Sequence, residues 1–208
     1  MPNLSNAPWS SIIPLIPVRD HLENISSDIW RPHFAAHGLA KYHVAIFGSS
    51  PSVAISRSRL LTYPYTDPVQ KCLEIFLWGY PGGGRGNMKD SFLQNILQIT
   101  SLASLSIQWP DYFNNLDQVK YLGISTISKL AYFHGCTFGG HPALILDSRL
   151  IDVLAGGRWG AMSMSGLTYG KAAGRYLDYL HLLNTTASRL GCSPDNIEFF
   201  LFGWGDTF

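Results

Sequence analysis

The chain has 208 residues, 46% of them apolar, 13% aromatic and only 14% charged, which suits one well-cored unit and excludes a disordered or coiled-coil chain. A net charge of +1 is low for a nucleic-acid binder, but it is unevenly spread: Gln118 to Tyr176 holds Lys120, Lys129, Arg149, Arg158, Lys171 and Arg175 against Asp147 and Asp152, six minus two. No apolar run approaches the roughly 20 residues that span a bilayer. No basic n-region leads into an apolar h-region at the start, so the expectation is a cytoplasmic protein with free thiols at Cys72, Cys136 and Cys192.

In chain order, Pro2, Pro8, Pro14 and Pro17 predict an extended N-terminal arm over residues 1–25, because each removes a backbone donor and biases its predecessor away from helix. A helix starts at Ser26 or Ser27 and is limited by Pro32, and His33 to Leu39 is helix-compatible until Gly38. Ser49 to Ser58 reads as a serine-rich loop that leads into Arg57 and Arg59. Asp67 as N-cap with Pro68 at the first helical position opens a helix to about Trp78, with Val69, Cys72, Leu73, Phe76 and Leu77 on one face. Tyr80 to Asn87 is a glycine-rich loop, and Asp90 to about Leu105 a helix. Two helices flank Gly123, a short apolar stretch runs from Ala143 to Leu146, and a helix begins at Asp147 or Ser148. A long helix from about Lys171 to Leu190 stops at Gly191, and a short helix containing Pro194 follows. The prediction is an all-α single domain over residues 1–208.

Most candidate chemistries fail on spacing. Gly82 to Gly86 lacks the Gly-Lys-Ser/Thr of a phosphate-binding loop, and Asp90 stands where a basic residue would be wanted. His33 and His37 have the spacing of two metal ligands on a helix face but no third partner nearby, and His134, Cys136 and His141 do no better. Ser125 and Ser163 lack the glycine frame of a hydrolase nucleophile.

The segment 112–155 differs, because features at linked distances converge. Leu116 to Lys120 ends a helix, Tyr121 to Ser125 forms a tight turn, and Thr126 to His134 makes a second helix, so Leu122-Gly123-Ile124 has the form of a helix-hairpin-helix. Gly123 permits the turn, Leu122 and Ile124 anchor it, and the first amides of the second helix can bind a DNA phosphate without reading sequence. Asp147 stands 24 residues beyond Gly123 and opens the next helix. By itself it could be an ordinary N-cap.

With that spacing the sequence resembles the helix-hairpin-helix DNA glycosylases, in particular the compact group with the 8-oxoguanine DNA glycosylase fold. Phe76-Leu77-Trp78-Gly79-Tyr80-Pro81 and the ending Ile197-Glu198-Phe199-Phe200-Leu201-Phe202-Gly203 carry the same likeness, over roughly residues 60 to 208 with the first 55 outside it. The resemblance implies a helix-hairpin-helix bundle in which Asp147 is the catalytic carboxylate, opposing positive charge on the sugar as the glycosidic bond breaks and directing a water. Bifunctional relatives carry a lysine four residues after the hairpin glycine, where it forms a Schiff base. Ile127 stands there, and Lys129, two residues on, would face about 200° away on a helix, so a monofunctional enzyme that leaves an abasic site is expected.

A glycosylase must also extrude its base. Gly123, Ser125, Lys129, Arg149, Arg57 and Arg59 are the candidate DNA contacts, and Trp78, Tyr80 and Trp109 the candidate walls of a base pocket. The partner is double-stranded DNA with a modified base, engaged by a monomer. The chemistry calls for no cofactor, although a hairpin of this kind can hold a monovalent cation. The four glycines beside Trp78 and Tyr80, and Ile127 in place of lysine, point to a bulky base such as the glucosylated hydroxymethylcytosine of phage DNA, removed in antiviral defence. Repair of oxidised or alkylated purines, a non-catalytic DNA-binding module and a nucleoside hydrolase are the alternatives.

Overall fold

The structure is a computed structural model that describes residues 9–84, 86–157 and 159–205. Residues 1–8 of the expected arm, Arg85 of the glycine-rich loop and Arg158 of the basic half lie outside the described residues. From Trp9 onward the segment is not an extended arm. It forms Trp9–Ile12 (α1) and two 3-10 turns, Ile13–Leu15 and Val18–Asp20, in which prolines sit at the start where a turn needs no amide. Leu22–Ser26 (β1) then pairs antiparallel with Ser52–Ser56 (β2), Ile25 opposite Val53. The serine-rich stretch is therefore a strand rather than a loop. Val53 and Ile55 alternate with the small residues Ser52, Ala54 and Ser56, the period of two that a half-buried strand requires.

Between the two strands lie Ser27–Ala36 (α2), which contains Pro32, and Ala40–Phe47 (α3). Arg57–Thr62 (α4) follows β2 directly, capped by the Ser56 hydroxyl, which accepts from the Arg59 amide at 3.1 Å. Pro68–Gly79 (α5) is the helix predicted, with the Asp67 carboxylate accepting from the Val69 amide at 2.8 Å. All its residues from Cys72 to Trp78 are buried, and it packs against β1 and, across the core, α7 and α9. The helix expected from Asp90 to Leu105 is two, Met88–Gln94 (α6) and Ile96–Ala103 (α7). They break at Asn95, whose side-chain amide bonds back to the Ser91 carbonyl at 2.8 Å and competes with the backbone ladder.

Trp109–Asp117 (α8) and Ile124–Phe133 (α9) form the helical hairpin. A minimal ribbon, Thr137–Phe138 (β3) and His141–Pro142 (β4), leads to an extended buried segment and then Ser148–Ala155 (α10). Tyr169–Ala172 (α11), a 3-10 turn through Gly174 and Tyr176–Leu190 (α12) replace the single helix expected from Lys171 to Leu190. Gly191, at φ 64°, ends α12 in the left-handed region that favours glycine. Pro194–Trp204 (α13) packs against α10 and α12. The architecture is mostly α.

The segment 143–146 is buried without a strand partner; the Ala143 amide donates to the Cys136 carbonyl at 2.9 Å, and beyond it side chains take up the backbone. Tyr176 donates its hydroxyl to the Leu144 carbonyl at 2.6 Å and accepts from the Leu144 amide at 3.1 Å. Tyr179 donates to the Ile145 carbonyl at 2.6 Å, and the Leu146 amide donates to the Ser128 hydroxyl at 3.0 Å. Three side chains from α9 and α12 thus hold the backbone that ends at Asp147.

Candidate active site

A cavity of about 90 Å³ opens where β1, α4, α5, α9, α10 and α13 converge. By the same measure one water needs roughly 10–15 Å³, so a small ring can enter. Asp147 and Lys129 stand on its wall together with Trp78, Arg57, Glu198 and His21. Asp147 reaches it as the N-cap of α10, with Oδ1 accepting from the Leu150 amide at 3.1 Å. A carboxylate has a second oxygen and further lone pairs, so capping fixes the orientation of the group without exhausting it.

Lys129, expected as a phosphate contact, is 7% exposed. Its Nζ donates to the Ser125 hydroxyl at 2.8 Å and the Ser125 carbonyl at 3.3 Å, and lies 5.4 Å from the centre of the Tyr80 ring. Gly79 makes room for the stem, since a Cβ there would come within 2.9 Å of Lys129 Cδ. Ile127, four residues after Gly123, is fully buried in the core. Of the two positions, Lys129 and not residue 127 lines the cavity with Asp147.

Arg57 and Arg59 are not a solvated basic loop. Arg57 is 2% exposed and forms a two-pronged ion pair with the fully buried Glu198, at 2.9 and 3.2 Å. Burial alone would lower the basicity of the guanidinium, but Glu198 more than reverses this and holds it charged. Burial pushes the Glu198 carboxyl up, and the attraction of Arg57 opposes it. Arg59 bonds the buried Glu74 at 2.8 and 2.9 Å, with the Tyr65 hydroxyl donating to the same carboxylate at 2.7 Å. Both arginines are paired with buried carboxylates.

Trp78 lines the cavity, packed edge-on against Phe133 and His21. Tyr80 stands behind Lys129, its hydroxyl 2.7 Å from that of Thr126. Trp109 is elsewhere: it stacks on Tyr176 at 3.8 Å between ring centres and donates to the Ala173 carbonyl at 2.8 Å, as a core residue. At the hairpin, a Cβ on Gly123 would meet the Tyr169 hydroxyl at 2.5 Å. Arg149 is exposed on α10, near the Gly203 carbonyl at 3.4 Å and the Phe202 ring. The cavity does not include Gly123, Ser125, Arg149, Arg59, Tyr80 or Trp109.

His21, Glu23, Ile145, Glu198 and Phe202 line the cavity and were missed. A glutamate at 198 inside an otherwise apolar helix face, Ile197 to Leu201, was the available signal, because a carboxylate is fully buried only when paired. His21 Nε2 is 3.3 Å from Glu23, and burial with the neighbouring Arg57 cation pushes its basicity down to about 4, so the ring is neutral. Among the described residues no group of three histidine, cysteine, aspartate or glutamate side chains is arranged to hold a metal ion, and no helix is long and apolar enough to cross a membrane.

Comparison with family models gives a match to the family described as "Putative 8-oxoguanine DNA glycosylase OGG-like protein" over residues 16–202. The match begins well before residue 60 and so takes in His21, Glu23 and Arg57, which the narrower resemblance had left outside. Among curated proteins nothing matches the chain.

Proposed function

We propose that this chain, which belongs to the OGG-like family of DNA glycosylases, hydrolyses the bond between deoxyribose and a modified base and leaves an abasic site. The observation that carries the reading is the cavity in which Asp147 meets an aromatic wall at Trp78 and the cation of Lys129. Positive charge that develops on the sugar would be opposed by the Asp147 carboxylate, itself oriented by the N-terminus of α10. Water bonds to the sugar carbon, the carbon–nitrogen bond breaks, and the departing base takes up a proton. The helical hairpin at Gly123 would take a phosphate of the duplex and Arg149 a flanking one.

For the substrate we propose a bulky modified cytosine, of which glucosylated hydroxymethylcytosine in phage DNA is the type, so that unmodified host DNA is spared and the protein serves antiviral defence. Pro81 lines the cavity and leads into the glycine-rich stretch, in which Gly82, Gly84 and Gly86 are exposed. Purified protein is incubated with duplexes that differ only in one base: glucosylated hydroxymethylcytosine, hydroxymethylcytosine, 8-oxoguanine or an alkylated purine. Alkali and a gel then reveal abasic sites. Cleavage confined to modified cytosines supports the proposal, and release of 8-oxoguanine alone overturns the substrate while keeping the activity.

One observation favours a second reading. Lys129 shares the cavity with Asp147, where its amine could attack the sugar and make the enzyme a lyase as well. Its Nζ donates to two Ser125 oxygens, which favours a held cation over a free nucleophile.

A further inference from the structure

Among the described residues, four buried side-chain nitrogen or oxygen atoms lack a hydrogen-bond partner: His21 Nδ1, Arg57 Nε, Trp78 Nε1 and Thr100 Oγ1. The first three belong to residues that line the cavity holding Asp147. Buried polar groups without partners cost stability and are rare. Three on residues that line one cavity are what a site awaiting a polar ligand would show. Arg57 sets both terminal nitrogens on Glu198, and Nε is its one nitrogen without a partner, an N–H that can only donate. The Trp78 indole can only donate. His21 Nε2 lies 3.3 Å from the Glu23 carboxylate; a neutral ring that keeps its one proton on the nitrogen facing that negative charge leaves Nδ1 as an acceptor.

Resting on the glycosylase reading, we propose that Arg57, Trp78 and His21 read the extruded base by its Watson–Crick edge, and that this edge is a pyrimidine's. Two donors and one acceptor complement two acceptors and one donor, which is what the N3, O2 and amino group of cytosine, or the two carbonyls and N3–H of a uracil, present. Guanine offers the reverse on that edge, two donors and one acceptor, and adenine one of each. The size of the cavity agrees: about 90 Å³ suits one ring better than two fused rings. Arg57, Trp78 and Glu198 are buried and form the floor; His21, partly exposed, packs against Trp78 at its side, and Glu23, Pro81 and Asp147, also partly exposed, form the mouth. A pyrimidine that faces the floor with its Watson–Crick edge turns C5, on the opposite side of the ring, toward the mouth. Substituents at C5 are therefore accommodated outside the pocket.

The test separates recognition from catalysis. Binding of the Asp147→Asn protein is measured to duplexes carrying hydroxymethylcytosine, hydroxymethyluracil or 8-oxoguanine, with and without Trp78→Phe, which keeps a ring and removes the donor. His21→Ala is the second variant, should Trp78→Phe not fold. Base release by the wild-type protein is followed on the same duplexes. Both pyrimidine duplexes bind more tightly than the 8-oxoguanine duplex, and Trp78→Phe weakens them by roughly tenfold, the cost of leaving one buried partner unsatisfied, with affinity for unmodified duplex unchanged. Equal binding of 8-oxoguanine, or no loss in either variant, overturns the pocket assignment even where bases are released. Discrimination by binding with no base released from any duplex overturns the glycosylase reading and leaves the pocket assignment standing.

Discussion

Asp147 caps α10 and also stands on the wall of the cavity. As an N-cap it was legible in the sequence, and so was its distance from Gly123, because capping and hairpin chemistry are local. Lys129 was legible only as a charge. Its burial depends on Gly79, fifty residues earlier in the chain, which leaves the space that its stem fills. Gly79→Ala therefore displaces Lys129, and should lower base release by about tenfold or more through misplacement at the cavity, with the helical circular dichroism unchanged. Borohydride distinguishes the two roles open to Lys129. A held cation gives no trapped protein–DNA adduct, whereas an adduct that disappears in Lys129→Ala would establish a Schiff-base lyase.

At the scale of elements, helix starts and stops carried by caps were readable, as at Asp67, Asp147 and Gly191, since the signal lies in the turn itself. The β1–β2 ribbon was not, because five serine-rich residues pair with a segment thirty positions away. Two histidines sit where these elements meet. His21 precedes β1 within the cavity, and His134 caps α9 with Nε2 3.9 Å from the Cys72 thiol of α5. Burial pushes both down to about 4 from an ordinary 6.5. The unfolded chain then binds protons first as pH falls, so stability drops between about pH 6.5 and 4. Urea unfolding at pH 7 and 4.5 should show this loss, reduced in a His21→Gln, His134→Gln double variant; an equal loss in that variant would assign it to other groups. At the hairpin, Gly123→Val drives a side chain into the Tyr169 hydroxyl. It should weaken binding to every duplex alike, measured by fluorescence anisotropy, since a phosphate contact carries no sequence information.

For the molecule as a whole, the Arg57–Glu198 pair ties the N-terminal third to the last helix through the floor of the cavity. Removing one partner strands a buried charge, so Arg57→Ala should cost roughly 3–5 kcal/mol in urea unfolding, and a cost under about 1 kcal/mol would mean that water reaches the pair. The mostly helical fold and the helix-hairpin-helix with its aspartate were legible in the second half of the sequence, where the signals are local. The cavity was not, because it is assembled from six elements, and three of its walls, His21, Glu23 and Arg57, come from a segment whose prolines and serines suggested arm and loop. The central claim is that Asp147 performs the chemistry in that cavity. Its most direct test is single-turnover base release from a duplex with one modified cytosine by wild-type and Asp147→Asn protein, with duplex affinity measured in parallel. Asparagine keeps the size and the cap but removes the charge, so release should fall by about a hundredfold or more at unchanged affinity; release at the wild-type rate would contradict the account.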